Sequence, residues 1–328
     1  MRRIRRIIGA VAGIGLVLAP LTACSGGDSP APAASEGTES EAVEPITLNI
    51  GFLPIPDVAP IYLGVEKGFF EEEGLTLNID AALTGQTQGV VAGTYDFAMA
   101  NTAATIVAAS QGIPIRYVAP GGAEQESADT AMAAVIVAGD SPIEGAKDLE
   151  GKRVAVNQLG SIASVTIDEL VRQAGGDPST IQYSELGFPN MGAALDAGEV
   201  DAAWVVEPFR SINELAGKKV VMHNLYEVKP GLLFSTYFTT EAYAQQNPEI
   251  VERFVRAVIK SNEYADANPE EARAILSSYL TIDPAIQASL RQLRWPSEID
   301  RDSIQLLIDL LEGAGTITNA PSVDDLIL

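Results

Sequence analysis

Cysteine and histidine are almost missing from this sequence: its 328 residues hold one of each. A single Cys cannot close an internal disulfide, and one Cys with one His cannot supply the ligand set of a structural zinc site. Nucleophilic machinery that needs two such residues is excluded as well, and neither a metal nor a cofactor is expected. Positive charge is scarce too. Lys and Arg number 21 against 44 Asp and Glu, a formal net charge of −23. Binding to phosphate backbones needs clustered cations that release counterions, so nucleic acid is not an expected partner. A small anionic ligand remains compatible, because local dipoles can hold one against the global field. What is present is a globular balance, 47% hydrophobic and 20% charged, at a length where single cores tend to split in two.

Residues 1–23 do not belong to the fold. Arg2, Arg3, Arg5 and Arg6 precede an apolar run over 7–19, too short for a comfortable membrane span, and the stretch closes on Leu21-Thr22-Ala23-Cys24. A basic end, a short apolar segment and small residues describe a secretory signal. Leu-Thr-Ala-Cys resembles the bacterial lipobox, which implies lipid attachment at Cys24 and a membrane anchor on the outer face of the cytoplasmic membrane. The alternative is an ordinary buried Cys behind a common signal. Lipid chains contribute ~0.8 kcal/mol per buried CH₂, and two or more anchor stably. Residues 24–45, rich in Ser, Gly, Pro, Ala and Glu, cannot bury enough apolar surface to offset ordering and read as a flexible tether. The Gly-rich stretch 9–15 imitates a dinucleotide loop but lies inside the signal.

An internal duplication organises the rest. Strand and helix patterns alternate over residues 47–52, 59–68, 75–81, 86–92 and 97–100, and again over 153–157, 164–174, 181–186, 191–197 and 202–205. The two series superpose at a constant offset of 105 residues, with Gly93-Thr94-Tyr95-Asp96-Phe97-Ala98 on Gly198-Glu199-Val200-Asp201-Ala202-Ala203 and the strand 48–52 on 153–157. Each Gly ends a helix and each Asp precedes a buried strand. The expected fold class is α/β, two similar lobes with mostly parallel sheets. Apolar runs at 131–138 and 232–238 suit strands that carry the chain between lobes in a two-strand hinge. Helices expected over 249–267, 270–278, 284–293 and 303–311 place the C-terminal tail on the first lobe. The lobes then comprise 46–136 with 238–328, and 137–237, and such a double crossing closes around ligands.

Several motifs resemble one family. They are Gly51-Phe52-Leu53-Pro54-Ile55, Ala59-Pro60-Ile61-Tyr62-Leu63-Gly64, Glu66-Lys67-Gly68-Phe69-Phe70, Asp148-Leu149-Glu150-Gly151-Lys152-Arg153-Val154 and Glu207-Pro208-Phe209, with Asn247-Pro248-Glu249 before a long helix. Over residues 46–265 the chain is similar to the substrate-binding lipoproteins of ABC importers for sulfonates, taurine, nitrate and thiamine-precursor pyrimidines. The resemblance implies a type II periplasmic-binding-protein fold, a monomer, a small-molecule ligand, permease subunits as partners and no catalysis. Yeast thiamine-pyrimidine synthases are similar in architecture but resemble a case requiring His and a Cys-rich motif, where this chain offers His223 and Cys24. An extracytoplasmic sensor for a signalling partner would share the same binding loops.

In open parallel sheets, ligands bind beyond the carboxyl ends of the strands, where helix N-termini present unpaired amides. The family pattern falls in the same loops. Leu53, Ile55 and Asp57 leave the first strand, Thr84, Gly85 and Gln86 the second, and Asn101 and Thr102 the third. In the second lobe Gly160, Ser161, Ile162 and Ser164 combine a Gly with two hydroxyls at a helix start, the arrangement best suited to an anion unless it is an ordinary N-cap. Phe188 and Asn190 follow the next strand. Asp57 either accepts from a ligand or caps the helix near Ala59, and Asn101 likewise meets ligand or caps. Glu207, after Trp204-Val205-Val206, either receives an amine or ring N–H or is fixed by Arg210 or a backbone amide. Phe52, Tyr62, Phe188 and Trp204 form an aromatic wall or core. The expected cargo is a small organic solute, sulfonate- or taurine-like or pyrimidine-like.

Overall fold

The strands of the computed structural model, which describes residues 45–81 and 85–328, are in chain order β1 (Ile46–Gly51), β2 (Leu75–Asp80), β3 (Phe97–Asn101), β4 (Ile115–Pro120), β5 (Ala134–Val137), β6 (Arg153–Val156), β7 (Gln182–Glu185), β8 (Ala202–Val205), β9 (Lys219–Met222) and β10 (Ser235–Thr240). The signal, Cys24, the tether before residue 45 and Thr84 lie outside the described residues. The strands form two five-stranded sheets, ordered β2-β1-β3-β10-β4 and β7-β6-β8-β5-β9. In the first, β1 runs parallel to β2 and β3, while β10 is antiparallel to both of its neighbours. The second repeats this plan with β5 in the place of β10. The central strands β5 and β8 are buried throughout, whereas β7 at the edge is mostly exposed, as expected when helices cover both faces of a mostly parallel sheet.

The duplication is real, but its offset is not constant. Phe97 on β3 pairs with Ile50, and Ala202 on β8 pairs with Val154. The third strands therefore match at 105 residues and the first strands at 104. Asp96 accepts the amide of Asn49 at 2.7 Å, and Asp201 accepts that of Arg153 at 2.9 Å, an equivalent anchor at sequence separations of 47 and 48. Register is legible only where a strand alternates buried and exposed residues. Val154, Ala155 and Val156 are all fully buried, so hydrophobicity alone could not reveal the one-residue slip.

Two further expectations are corrected. Ala134, Val135 and Ile136, assigned to the first lobe, pair in the second sheet, and Ser235, Thr236 and Tyr237, assigned to the second, pair in the first. The tail is shared between the lobes. Its helix Pro248–Ala267 buries Val251, Phe254, Ala257, Val258, Ser261 and Ala265 along one face and packs on Ala59–Glu66 of the first lobe. Gly64 makes that approach possible: a Cβ there would lie 2.7 Å from the Phe70 ring and in collision with the Ser261 hydroxyl. The later helix Arg301–Gly313, however, packs on both Thr102–Ser110 of the first lobe and Ile162–Gln173 of the second.

The hinge holds three segments rather than two. Ala123 pairs antiparallel with both Leu233 and Arg294. Beside it the fully buried carboxylate of Glu124 accepts the amides of Gln125, Met132 and Ala133 at 2.8, 2.8 and 3.2 Å, binding one crossing to the start of β5. Burial still pushes its carboxyl up from the usual range. Among the described residues no helix is long and apolar enough to cross a membrane.

Candidate functional site

A cavity of about 430 Å³ opens where the carboxyl ends of strands from both sheets face each other. That volume falls in the range of small-molecule sites. The first lobe contributes Leu53, Ile55 and Asp57 after β1, Gly85 and Gln86 after β2, Asn101 at the end of β3, and Ser235 at the start of the antiparallel β10. The second contributes Asn157 and Gln158 after β6, Glu185 at the end of β7, Phe188, and Trp204 and Val206 around the end of β8. Seven expected residues, Leu53, Ile55, Asp57, Gly85, Gln86, Asn101 and Phe188, thus line one space.

Asp57 is its most unusual member. It sits in the short 3-10 turn Pro56–Val58, only 2% exposed, and no side chain caps that turn or the following helix. The capping alternative therefore fails. Its Oδ1 is buried without a partner. Burial pushes the carboxyl up to about 7, and the nearby charge of Glu124 adds to the rise; the bonds to its own backbone amide and to Ser235 oppose it. The turn is fixed from behind, where Trp295 Nε1 donates to the Asp57 carbonyl at 3.1 Å. Asn101 does cap: its Oδ1 accepts the Ala104 amide at 3.2 Å while the residue lines the cavity.

The second lobe departs furthest from expectation. Ser161 Oγ donates to the Gln158 carbonyl at 2.8 Å and Ser164 Oγ to the Ser161 carbonyl at 3.0 Å, so both hydroxyls are spent on backbone. Neither these nor Gly160 and Ile162 line the cavity. The reason lies far along the chain. A Cβ on Gly160 would meet the methyl of Thr316 at 3.6 Å, because the segment after Arg301–Gly313 lies over this helix start. Thr102 is fully buried and Asn190 exposed, and neither lines the space.

For Glu207 the structure shows the alternative of fixation by a backbone amide. It is fully buried, accepting Ser211 N at 3.1 Å, Ser211 Oγ at 2.9 Å and Arg291 Nη1 at 3.1 Å. Its ion pair is with Arg291 of the tail, not with Arg210, whose guanidinium donates to the Ala131 carbonyl and contacts Glu214. Of the four aromatics, Phe188 and Trp204 face the cavity, 5.8 Å apart, with Phe209 stacked behind Phe188. Phe52 is core, and Tyr62 stacks on Tyr279 at 4.1 Å.

Asn157, Glu185 and Ser235 were not foreseen. The corrected offset of 104 carries Leu53 onto Asn157, so the duplication held the signal for it.

A family model described as NMT1/THI5 like matches residues 55–272. The chain belongs to this family. The NMT1/THI5-like match spans the motifs from Ile55 through Asn247-Pro248-Glu249. Among curated proteins the chain is similar to a formylaminopyrimidine-binding protein of Halalkalibacterium halodurans, 23% identical over 284 residues that cover 84% of this chain and 80% of that one. It is also similar to a 4-amino-5-hydroxymethyl-2-methylpyrimidine phosphate synthase of Saccharomyces cerevisiae, 24% identical, covering 76% and 74%. Among solved structures, the alkanesulfonate-binding protein SsuA of Xanthomonas axonopodis pv. citri bound to MOPS matches with a TM-score of 0.73 at 19% identity, covering 88% and 99%. The fold is that of the periplasmic binding proteins.

Proposed function

We propose that this NMT1/THI5-like chain is the extracytoplasmic solute-binding component of an ABC importer, which captures a small organic solute between its lobes and delivers it to permease subunits. One observation carries the reading: a cavity of about 430 Å³ lined from both duplicated lobes by the residues that follow their strands. Closing two lobes over one solute sequesters it, and micromolar capture needs only ~8 kcal/mol. Partial desolvation of a ring against Phe188 and Trp204, with a few hydrogen bonds, is of that order. Relatives named for binding formylaminopyrimidine or alkanesulfonate support the receptor class. Export and lipid anchoring at Cys24 complete the proposal.

A synthase reading has a specific motive, the yeast relative's name. Against it, no His, Cys or Lys occurs among the described lining residues, and His223 lies at the end of β9, outside that lining. We therefore place the chain with the binders. A thermal-shift panel of sulfonates, pyrimidines, amines and carboxylates tests this. A ligand at a hundred times its Kd contributes ~2.7 kcal/mol. At least one compound should raise the melting temperature; a panel with no stabiliser contradicts the receptor reading.

A further inference from the structure

The chemistry of the cavity narrows the cargo. Its charged lining residues are Asp57 and Glu185, with no Lys, Arg or His among the described lining residues. Ala82, Leu83 and Thr84, which precede Gly85 in the sequence, carry no charge. Two acceptor atoms in it are buried without partners, Oδ1 of Asp57 and Oδ1 of Asn157, one from each lobe. A buried acceptor left unmade costs ~1–3 kcal/mol, so two on residues that line one space mark where donors belong. Three donors that the sequence offered to an oxyanion are committed elsewhere: the Ser161 and Ser164 hydroxyls to backbone, and Trp204 Nε1 to Asn224 Oδ1 at 2.9 Å. A desolvated oxyanion here would also face the Asp57 carboxyl without a countercharge.

We propose that the solute is an organic cation bearing N–H donors, a protonated amine or amidine on an aromatic or apolar body, held by Asp57 of the first lobe and Asn157 of the second. This rests on the receptor reading and specifies it. The aromatic faces of Phe188 and Trp204 suit such a cation and its ring. The acidic balance of the chain draws cations towards it. Among the described residues, the groups that act on the Asp57 carboxyl include Ser235, Glu124, Tyr237 and Tyr279, none of them a cation, so a cationic solute meets no competing positive charge from them.

Isothermal titration of the full chain with benzamidine and phenethylamine, against methanesulfonate and nitrate, tests the assignment. At least one of the two cations should bind and neither anion should. Asp57→Asn should weaken the bound cation at least tenfold, with the fold checked by circular dichroism. Asn157→Asp, which adds a carboxylate on the opposite lobe, should tighten it. Binding of an anion more tightly than either cation overturns this inference while leaving the receptor reading intact. An Asp57→Asn affinity within twofold of wild type, or weakening by Asn157→Asp, overturns it too. Failure of all four probes counts against both.

Discussion

Arg291, in the segment after the helix Pro284–Ser289, donates to Glu207 at 3.1 Å and to Glu214 at 2.8 Å across gaps of 84 and 77 residues. This bidentate clasp ties the tail to the second lobe and explains why Glu207 faces inward. Removing the Arg291 side chain would leave a fully buried carboxylate with no countercharge from it, held by Ser211 and a longer bond from the Arg291 amide at 3.4 Å. Breaking such a pair typically costs ~3–5 kcal/mol. Arg291→Met is expected to lower stability by about 2–4 kcal/mol, given the remaining Ser211 bonds, in urea denaturation. A change below about 0.5 kcal/mol would show that the clasp is idle.

Glu207→Gln separates structure from recognition. The carboxylate is consumed by Ser211 and Arg291, so the variant should lose ~1–3 kcal/mol of stability and bind solute within threefold of wild type. A tenfold loss of affinity at unchanged stability would return Glu207 to the site.

Asp57 makes stability depend on pH in a defined direction. Its carboxyl sits at about 7 when folded against 3.8 in the open chain, so between those values the folded state holds a proton that the unfolded state has released. This group's contribution therefore falls as pH rises through that window. Asp57→Asn should stabilise the ligand-free protein at pH 8, by at most about 4 kcal/mol, and the gain should vanish near pH 4. Urea titrations at the two pH values decide; an equal gain at both contradicts the assignment.

Much of the first lobe's share of the candidate cavity was legible, and the departures elsewhere have physical causes. Leu53, Ile55, Asp57, Gly85, Gln86 and Asn101 follow strands whose hydrophobic pattern marks their ends, and a strand's carboxyl end is a local property. Glu207, Gly160, Ser161 and Ser164 also look available locally. Arg291, which pairs with Glu207, and Thr316, which lies against Gly160, arrive from more than 80 residues away, and no periodicity announces them; the two serine hydroxyls turn instead to carbonyls three residues back. Asn157 was hidden by a one-residue register slip in β6, whose last three residues are all buried. The same logic yields a negative expectation: Ser161→Ala should leave solute affinity unchanged in titration calorimetry and cost no more than about 1 kcal/mol. A tenfold loss of affinity would restore the anion cradle.

Gly64 carries a packing prediction. With Phe70 2.7 Å from the position of an added Cβ, and the Ser261 hydroxyl closer still, Gly64→Ala must shift these side chains or the helix Pro248–Ala267 that carries Ser261. Overpacking of this kind costs ~1–3 kcal/mol. Chemical denaturation should show that loss, and Gly64→Ala with Ser261→Gly should recover part of it; a neutral single variant would contradict the close approach.

The claim beneath all of these is that a solute occupies the space between the duplicated sheets. Ala104, on the helix Thr102–Ser110, lines that space, and Ala104→Trp would fill part of it while keeping the amide that Asn101 accepts. Native mass spectrometry of the purified chain, with and without added solute, is the direct measurement. Wild type should carry one small-molecule adduct that Ala104→Trp lacks; an adduct retained equally by both, or none on wild type under any solute, contradicts the account.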